Sequence, residues 1–178
     1  VIYGCDCPNA RVVTERSIGR KNAISYGFHH SAQIRAVNTC LSKNTSHSEI
    51  YFKQHRLGDL QLNIPGCYNV SNALAAIATC LELGIKFQDI TEILHHFTGV
   101  KRRQEIIFQN DNEFMIIDDY GHHPSEIKAS LRAIRQGWPE YRIITVFQPH
   151  RYSRTKILLE SFASAFRDSH IVIINDIY

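Results

Sequence analysis

Across the 178 residues no apolar run approaches the ~20 needed to span a bilayer. Nor does a charged N-terminal segment lead into an apolar signal core. A soluble, unexported, cytoplasmic protein is therefore expected. Disulfide scaffolding is missing too, because the five cysteines, Cys5, Cys7, Cys40, Cys67 and Cys80, are odd in number and scattered. They read as free thiols in a reducing compartment. Cys5 and Cys7 stand close together, but no second Cys or His pair lies at zinc spacing, which argues against a metal there. Charge of one sign is scarce: 20 Lys and Arg against 17 Asp and Glu leave a net charge of +3. That excess is too slight for a polycation that coats nucleic acid, so any bound anion needs a local site. Repeats and low-complexity segments are absent. What remains is ordinary globular composition, 44% hydrophobic and 21% charged, enough for one large domain or two small ones.

The first residues, Val1-Ile2-Tyr3, read as the tail of a buried strand, and the last eight residues, from Ile171, as a strand just completed. The sequence has no initiating Met, so a piece of a longer protein is expected. A short helix is predicted from Pro8 to Val13 and a brief strand from Asn22 to Phe28. Gln33 to Leu41, Glu49 to Lys53 and Leu60 to Ile64 are β-like, separated by polar Ser42 to Ser48 and Gln54 to Asp59, which suggests an antiparallel meander. Val70, Ala73, Leu74, Ile77, Cys80 and Leu81 recur with helical period, predicting a helix from about Asn69 to Leu83 ended by Gly84. Ile90, Ile93, Leu94 and Phe97 mark another. Gly99-Val100-Lys101-Arg102-Arg103 then breaks the pattern and suggests a domain boundary. Beyond it, strands at Phe114 to Ile117, Arg142 to Phe147 and Ile171 to Ile174 alternate with helices at Pro124 to Gln136 and Thr155 to Asp168. That order predicts an α/β unit with a parallel sheet covered on both faces and ligands at the carboxyl ends of its strands.

Two polar clusters occupy such ends. One is Asp118-Asp119-Tyr120-Gly121-His122-His123-Pro124, and the other runs from Gln148 through His150, Arg151 and Arg154 to Thr155. The two strands are expected to be adjacent and parallel, so that one rim collects carboxylates, imidazoles and guanidinium groups. Arg is suited to bidentate capture of carboxylate or phosphate, and helix N-termini add partial positive charge. An anion site is the direct reading. Helix caps and a turn would account for either cluster taken alone, and the competing cations weigh against a metal among the His. A third segment, Pro65 to Asn72, places Asn69 and Asn72 three apart on a helix start, where carboxamides offer both donor and acceptor to a purine edge. Asn69 as a plain N-cap is the simpler alternative. Lys101-Arg102-Arg103 by itself reads as a solvated linker as readily as a phosphate clamp.

Together these segments resemble the Mur ligases, the ATP-dependent amide-forming enzymes of peptidoglycan assembly, and most closely their alanine-adding branch. Val1 to Pro8 resembles the late strand of the family's central ATPase domain. Pro65 to Asn72 resembles its Pro-Gly-x-His-Asn-x-x-Asn segment, and Gly99 to Glu105 its Gly-x-x-x-Arg-x-Glu hinge. Asp118 to Glu126 resembles Asp-Asp-Tyr-Gly-His-His-Pro-Thr-Glu, and Phe147 to Thr155 resembles Phe-Gln-Pro-His-Arg-Phe-Thr-Arg-Thr. The resemblance implies that residues 1–98 are the C-terminal portion of a central ATP-binding domain and 99–104 a hinge. Residues 105–178 would be an incomplete, Rossmann-like, amino-acid-binding domain.

It further implies ATP with magnesium as cofactors, UDP-N-acetylmuramate and L-alanine as substrates, and no nucleic acid or membrane insertion. Asn69 and Asn72 match adenine contacts, Arg103 the hinge arginine at the phosphates, and Asp119 the acidic residue near the ribose. Tyr120 and His122 match positions lining the ATP and product side, while His150, Arg151 and Arg154 match those facing the amino acid and the muramoyl carboxylate. Tyr68 replaces the family's usual His, Cys67 a common basic residue, and Cys7 the second Asp of an Asp-Asp pair. No Gly-x-x-Gly-Lys-Thr phosphate loop occurs, and the magnesium ligands are expected upstream. The 178 residues alone are therefore expected to be inactive.

The implied chemistry turns a carboxylate into an acyl phosphate that the amine of alanine attacks. Negative charge builds throughout, which suits Arg151 and Arg154. Either His122 or His150 could take the proton of the alanine ammonium. Two readings of other classes compete: a non-catalytic nucleotide- or anion-binding module, and a metal-dependent hydrolase.

Overall fold

Alternating burial along three strands builds the first sheet. In the computed structural model, residues 1–17, 23–110 and 113–178 are described. They divide into two units, Val1–Thr98 and Gly99–Tyr178. The first holds five strands in the order β1 (Ile2–Gly4), β2 (Ile24–Gly27), β3 (Ile34–Ser42), β4 (Thr45–Phe52) and β5 (His55–Leu62). The β1-β2-β3 pairings are parallel, and β3-β4-β5 form the expected antiparallel meander. The brief strand expected from Asn22 runs over Ile24–Gly27, and Asn22 itself lies outside the described residues.

Polar segments expected to separate the meander strands are partly strand, since β4 begins at Thr45 and β5 at His55. Cross-strand partners explain the difference. Buried Ser46 donates to the carbonyl of Ile64 at 2.9 Å, Ser48 shares a 2.8 Å bond with Thr39, and Arg56 bridges Glu49 and Asp59. A satisfied polar side chain loses its preference for a loop.

Helix α1 (Pro8–Ser17) packs beside β1 and runs beyond its predicted end. Helix α2 (Cys67–Glu82) lies against β1, β2 and β3, and α3 (Phe87–His96) against β5. The period read at Val70, Ala73, Leu74 and Ile77 is the buried stripe of α2, meeting Ile34, Ile50, Leu60 and Leu62 in one core. Each of the Val, Leu and Ile side chains contributes about 1.5–3 kcal/mol by leaving water. Gly84, at φ 80°, ends the α2 region: its N–H bonds the Leu81 carbonyl and that of Ile85 bonds the Cys80 carbonyl, the paired closure that favours glycine there.

In the second unit β6 (Glu105–Asn110) and β7 (Phe114–Asp118) form an antiparallel pair. Helix α4 (Pro124–Gly137) leads to β8 (Ile144–Phe147), which pairs in parallel with β9 (Ile171–Ile174). Ile127, Leu131, Ile143, Phe162 and Ala165 make the core. Three details depart from the sequence reading. Strand β6 was not foreseen, because Ile106-Ile107-Phe108 lacks alternation and a bulge falls between Ile106 and Phe108. The helix expected over 155–168 is two short ones, α5 (Tyr152–Ile157) and α6 (Leu159–Ala165), broken at Leu158 so that Phe162 and Ala165 turn inward.

Most consequentially, β7 and β8 are not hydrogen-bonded neighbours. They belong to separate two-stranded sheets, and a cavity of about 210 Å³ lies between them, lined by Met115, Ile117, Ile127, Leu131, Ile144 and Val146 among others. The edge of β7 that is bonded is taken by β6, and that of β8 by β9. Both units thus mix helices and strands, with parallel pairing in each: a mixed α/β fold.

Candidate active site

In the first unit the candidate segment begins at Gly66, which adopts φ 94° just before α2, a backbone region that glycine enters freely. Asn69 is not the N-cap. It sits in the first turn, and its carboxamide donates to the Pro65 carbonyl at 2.7 Å, bracing the turn and leaving its own oxygen as an acceptor. Asn72, one turn on, is exposed. Cys67 opens the helix, also exposed.

In the second unit the sequence Asp118 to Glu126 folds as a loop clamped onto the start of α4. Pro124 occupies the first helical position, where its missing N–H costs nothing. His123 is the N-cap: its Nδ1 accepts the Ser125 N–H at 3.3 Å. Glu126 answers by accepting the N–H groups of His122 and His123 at 3.0 and 3.1 Å, a capping box in which His replaces the usual hydroxyl.

Asp119 is held by three donors. The Gly121 N–H reaches one carboxylate oxygen at 2.7 Å, while the Gln104 N–H and the Ser130 hydroxyl reach the other at 3.1 and 2.9 Å. Buried Gln104 in turn donates to the carbonyl and hydroxyl of Ser130. The carboxylate therefore ties the segment after Arg103 to the loop and to α4. Beside it, Arg102 lies 4.8 Å over the Tyr120 ring and reaches Asp118 at 3.3 Å, and its carbonyl accepts the Tyr120 N–H.

His122 lies 3.1 Å by its Nδ1 from the Tyr120 carbonyl. A carbonyl can only accept, so the bond puts the proton on Nδ1 and frees the lone pair of Nε2. The ring also meets Tyr120 edge-on, with centroids 5.4 Å apart. Glu126 stands 3.7 Å from the same Nδ1 and 3.8 Å from Arg103 Nη1. Partial burial pushes the Glu126 carboxyl up, but the two backbone N–H donors and the His122 and Arg103 charges outweigh it and hold the group below the usual carboxylate range.

From the second cluster only Arg154 is brought to this loop, its Nη1 donating to the His122 carbonyl at 3.3 Å. Arg154 lies within α5 and Arg151 just outside it. Arg151 precedes α5 with φ 71°, and its N–H bonds the Tyr178 carbonyl. His150 stacks on the Tyr178 ring at 5.6 Å. The cavity between β7 and β8 is of mixed polarity and touches the loop only at Asp119 and Gly121. Sequence reasoning gave no part to Gln104, Ser130 or Glu126, although Glu126 three residues after a capping His123 was a readable signal. Among the described residues no three His, Cys, Asp or Glu side chains gather as a metal-ligand set.

Comparison with known proteins gives this arrangement a context. Residues 1–80 match the Mur ligase middle domain, and residues 102–176 match the Mur ligase, glutamate ligase domain. A UDP-N-acetylmuramate--L-alanine ligase of Pelobacter propionicus is 44% identical over 173 residues, covering 97% of this chain and 37% of the relative. The chain thus spans little more than a third of the length of the curated relatives it matches. A solved UDP-N-acetylmuramate-alanine ligase from Thermotoga maritima superposes with a TM-score of 0.79 at 28% identity, covering 90% of this chain and 36% of that one. A folylpolyglutamate synthetase from Lactobacillus casei shares the fold at a TM-score of 0.66 and 17% identity, over 99% of this chain and 51% of its own. With a middle-domain match, a glutamate-ligase-domain match and relatives this similar along nearly its entire length, the chain belongs to the Mur ligase family.

Proposed function

We propose that the chain is part of an ATP-dependent ligase that joins L-alanine to UDP-N-acetylmuramate in peptidoglycan synthesis. Residues 1–98 would belong to its ATP-binding domain, 99–104 to a hinge and 105–178 to the domain that receives the amino acid. The observation that carries the reading is the Arg154 bond to the His122 carbonyl, because it joins the two polar clusters that the family likeness assigns to one reaction.

ATP would activate the muramoyl carboxylate as an acyl phosphate. The residues present fit part of that nucleotide: Asn69 keeps an acceptor and Asn72 an exposed carboxamide for the adenine edge. Arg103 would reach the phosphates, and Asp119, fixed by its three donors, would stand near the ribose. The phosphate loop is not in this sequence, and the described residues supply no magnesium site, so both would come from elsewhere in the full-length protein.

Of the two imidazoles, His122 is the better base, because its proton is held on Nδ1 and Nε2 is left to take the proton from the alanine ammonium. Arg154, with Arg151 and His150 beside Tyr178, would meet the alanine carboxylate and the charge that develops on the attacked carbon's oxygen. One well-placed donor of this kind is worth about 3 kcal/mol. The test is ADP release by the full-length enzyme, expected only when both UDP-N-acetylmuramate and L-alanine are present. ADP formed equally without alanine would overturn the proposal. Nucleotide binding by the 178 residues with no ADP release in any full-length preparation would favour a binding module.

A further inference from the structure

We infer that Glu126 is a positioning residue of this site: its carboxylate, lying between the His122 imidazole and the Arg103 guanidinium, holds both in one arrangement. The inference rests on the ligase reading for its chemical meaning, but its geometry does not.

Capping alone would need only one oxygen. At the third position of α4 a carboxamide oxygen accepts backbone N–H groups as well as a carboxylate does, which is why Gln also serves in such boxes. Glu126 does more with its two oxygens. Oε2 takes the N–H groups of His122 and His123 and lies 3.7 Å from His122 Nδ1, while Oε1 faces Arg103 Nη1 at 3.8 Å. One rigid helix start thereby fixes a candidate base and a candidate phosphate ligand from the hinge.

Among the described residues the groups facing His122 come from three elements. Tyr120 offers its carbonyl and ring from the loop, Glu126 its charge from α4, and Arg154 its guanidinium, on the His122 carbonyl, from α5. Glu126 is the negative one, and it lies on the Nδ1 side. Negative charge there favours a proton on Nδ1, which keeps Nε2 open. When the alanine ammonium gives up its proton, the N–H bond breaks, an Nε2–H bond forms, and the nitrogen lone pair is freed for attack. The resulting imidazolium then has Glu126 against its other nitrogen.

Glu126→Gln keeps an acceptor for the cap and removes the charge. Read by ¹⁵N NMR of the imidazole nitrogens in this chain, His122 is expected to be the Nδ1–H tautomer, and Glu126→Gln to shift it toward a mixture while the chain stays folded, its melting temperature lowered by no more than the loss of that one charge. In the full-length enzyme the same change should lower kcat about tenfold or more, the loss expected when a base is mispositioned. Arg103→Gln touches no bond of the cap, and it should also move the His122 signals, because Oε1 loses its partner. If Glu126→Gln does not fold, Arg103→Gln still decides. His122 signals unmoved by Arg103→Gln, or by a folded Glu126→Gln, would leave Glu126 a helix cap and nothing more. The NMR result stands whether or not ADP release depends on alanine, so the two proposals fail separately.

Discussion

Arg154 donates to the carbonyl oxygen of His122 over 3.3 Å, across 32 residues of sequence. The bond places a half-buried guanidinium at the loop that carries Asp119, Tyr120 and His122. It uses one of the five N–H donors of that guanidinium.

If the proposed ligase activity holds, replacing Arg154 with Ala in the full-length protein should lower kcat/KM for L-alanine by about 10- to 100-fold, the worth of one or two hydrogen bonds to a charged group. Arg154→Lys should rescue little of it, because an ammonium lacks the planar fork. Steady-state kinetics with unchanged circular dichroism would check this.

Asp119→Ala should destabilise the second unit by about 1–3 kcal/mol, because it strips partners from the Gln104 N–H, the Gly121 N–H and the Ser130 hydroxyl together. Urea denaturation would measure it. A parallel Tyr152→Ala change at an exposed position should cost almost nothing.

Acid should weaken the second unit through Glu126. Its folded carboxyl lies below the usual range, so its contribution is complete above about pH 4.3, the unfolded value, and fades as pH falls from there through the folded value. The Glu126→Gln variant should therefore show a shallower loss of stability in thermal melts as pH falls below about 4.3.

At Gly84 φ is 80° and an added Cβ would meet nothing within 4 Å. Gly84→Ala should then cost only backbone strain, about 1–2 kcal/mol, and Gly84→Asn less. A large loss of helix signal would show that something besides φ is at stake.

Helix α2 was readable in advance because its apolar stripe, Val70 to Ile77, depends on period alone and its end on a glycine. The start of α4 was readable for a similar reason, since Pro124 and the residues before it are local signals. Strand β6 was not, because three successive apolar residues carry no period and the strand exists through its partner β7. The polar starts of β4 and β5 were missed because Ser46, Ser48 and Arg56 find partners on strands that local sequence does not reveal.

The candidate site divides along the same line. Sequence by itself determined which residues stand at strand ends and helix starts, since side-chain chemistry and turn preferences act over a few positions. Only the tertiary structure decided that Arg154 joins His122 while Arg151 and His150 turn to Tyr178, that β7 and β8 stand apart, and that Glu126 spans Arg103 and His122. Those relations depend on bonds and packing between segments far apart in the chain, whose geometry no local preference encodes.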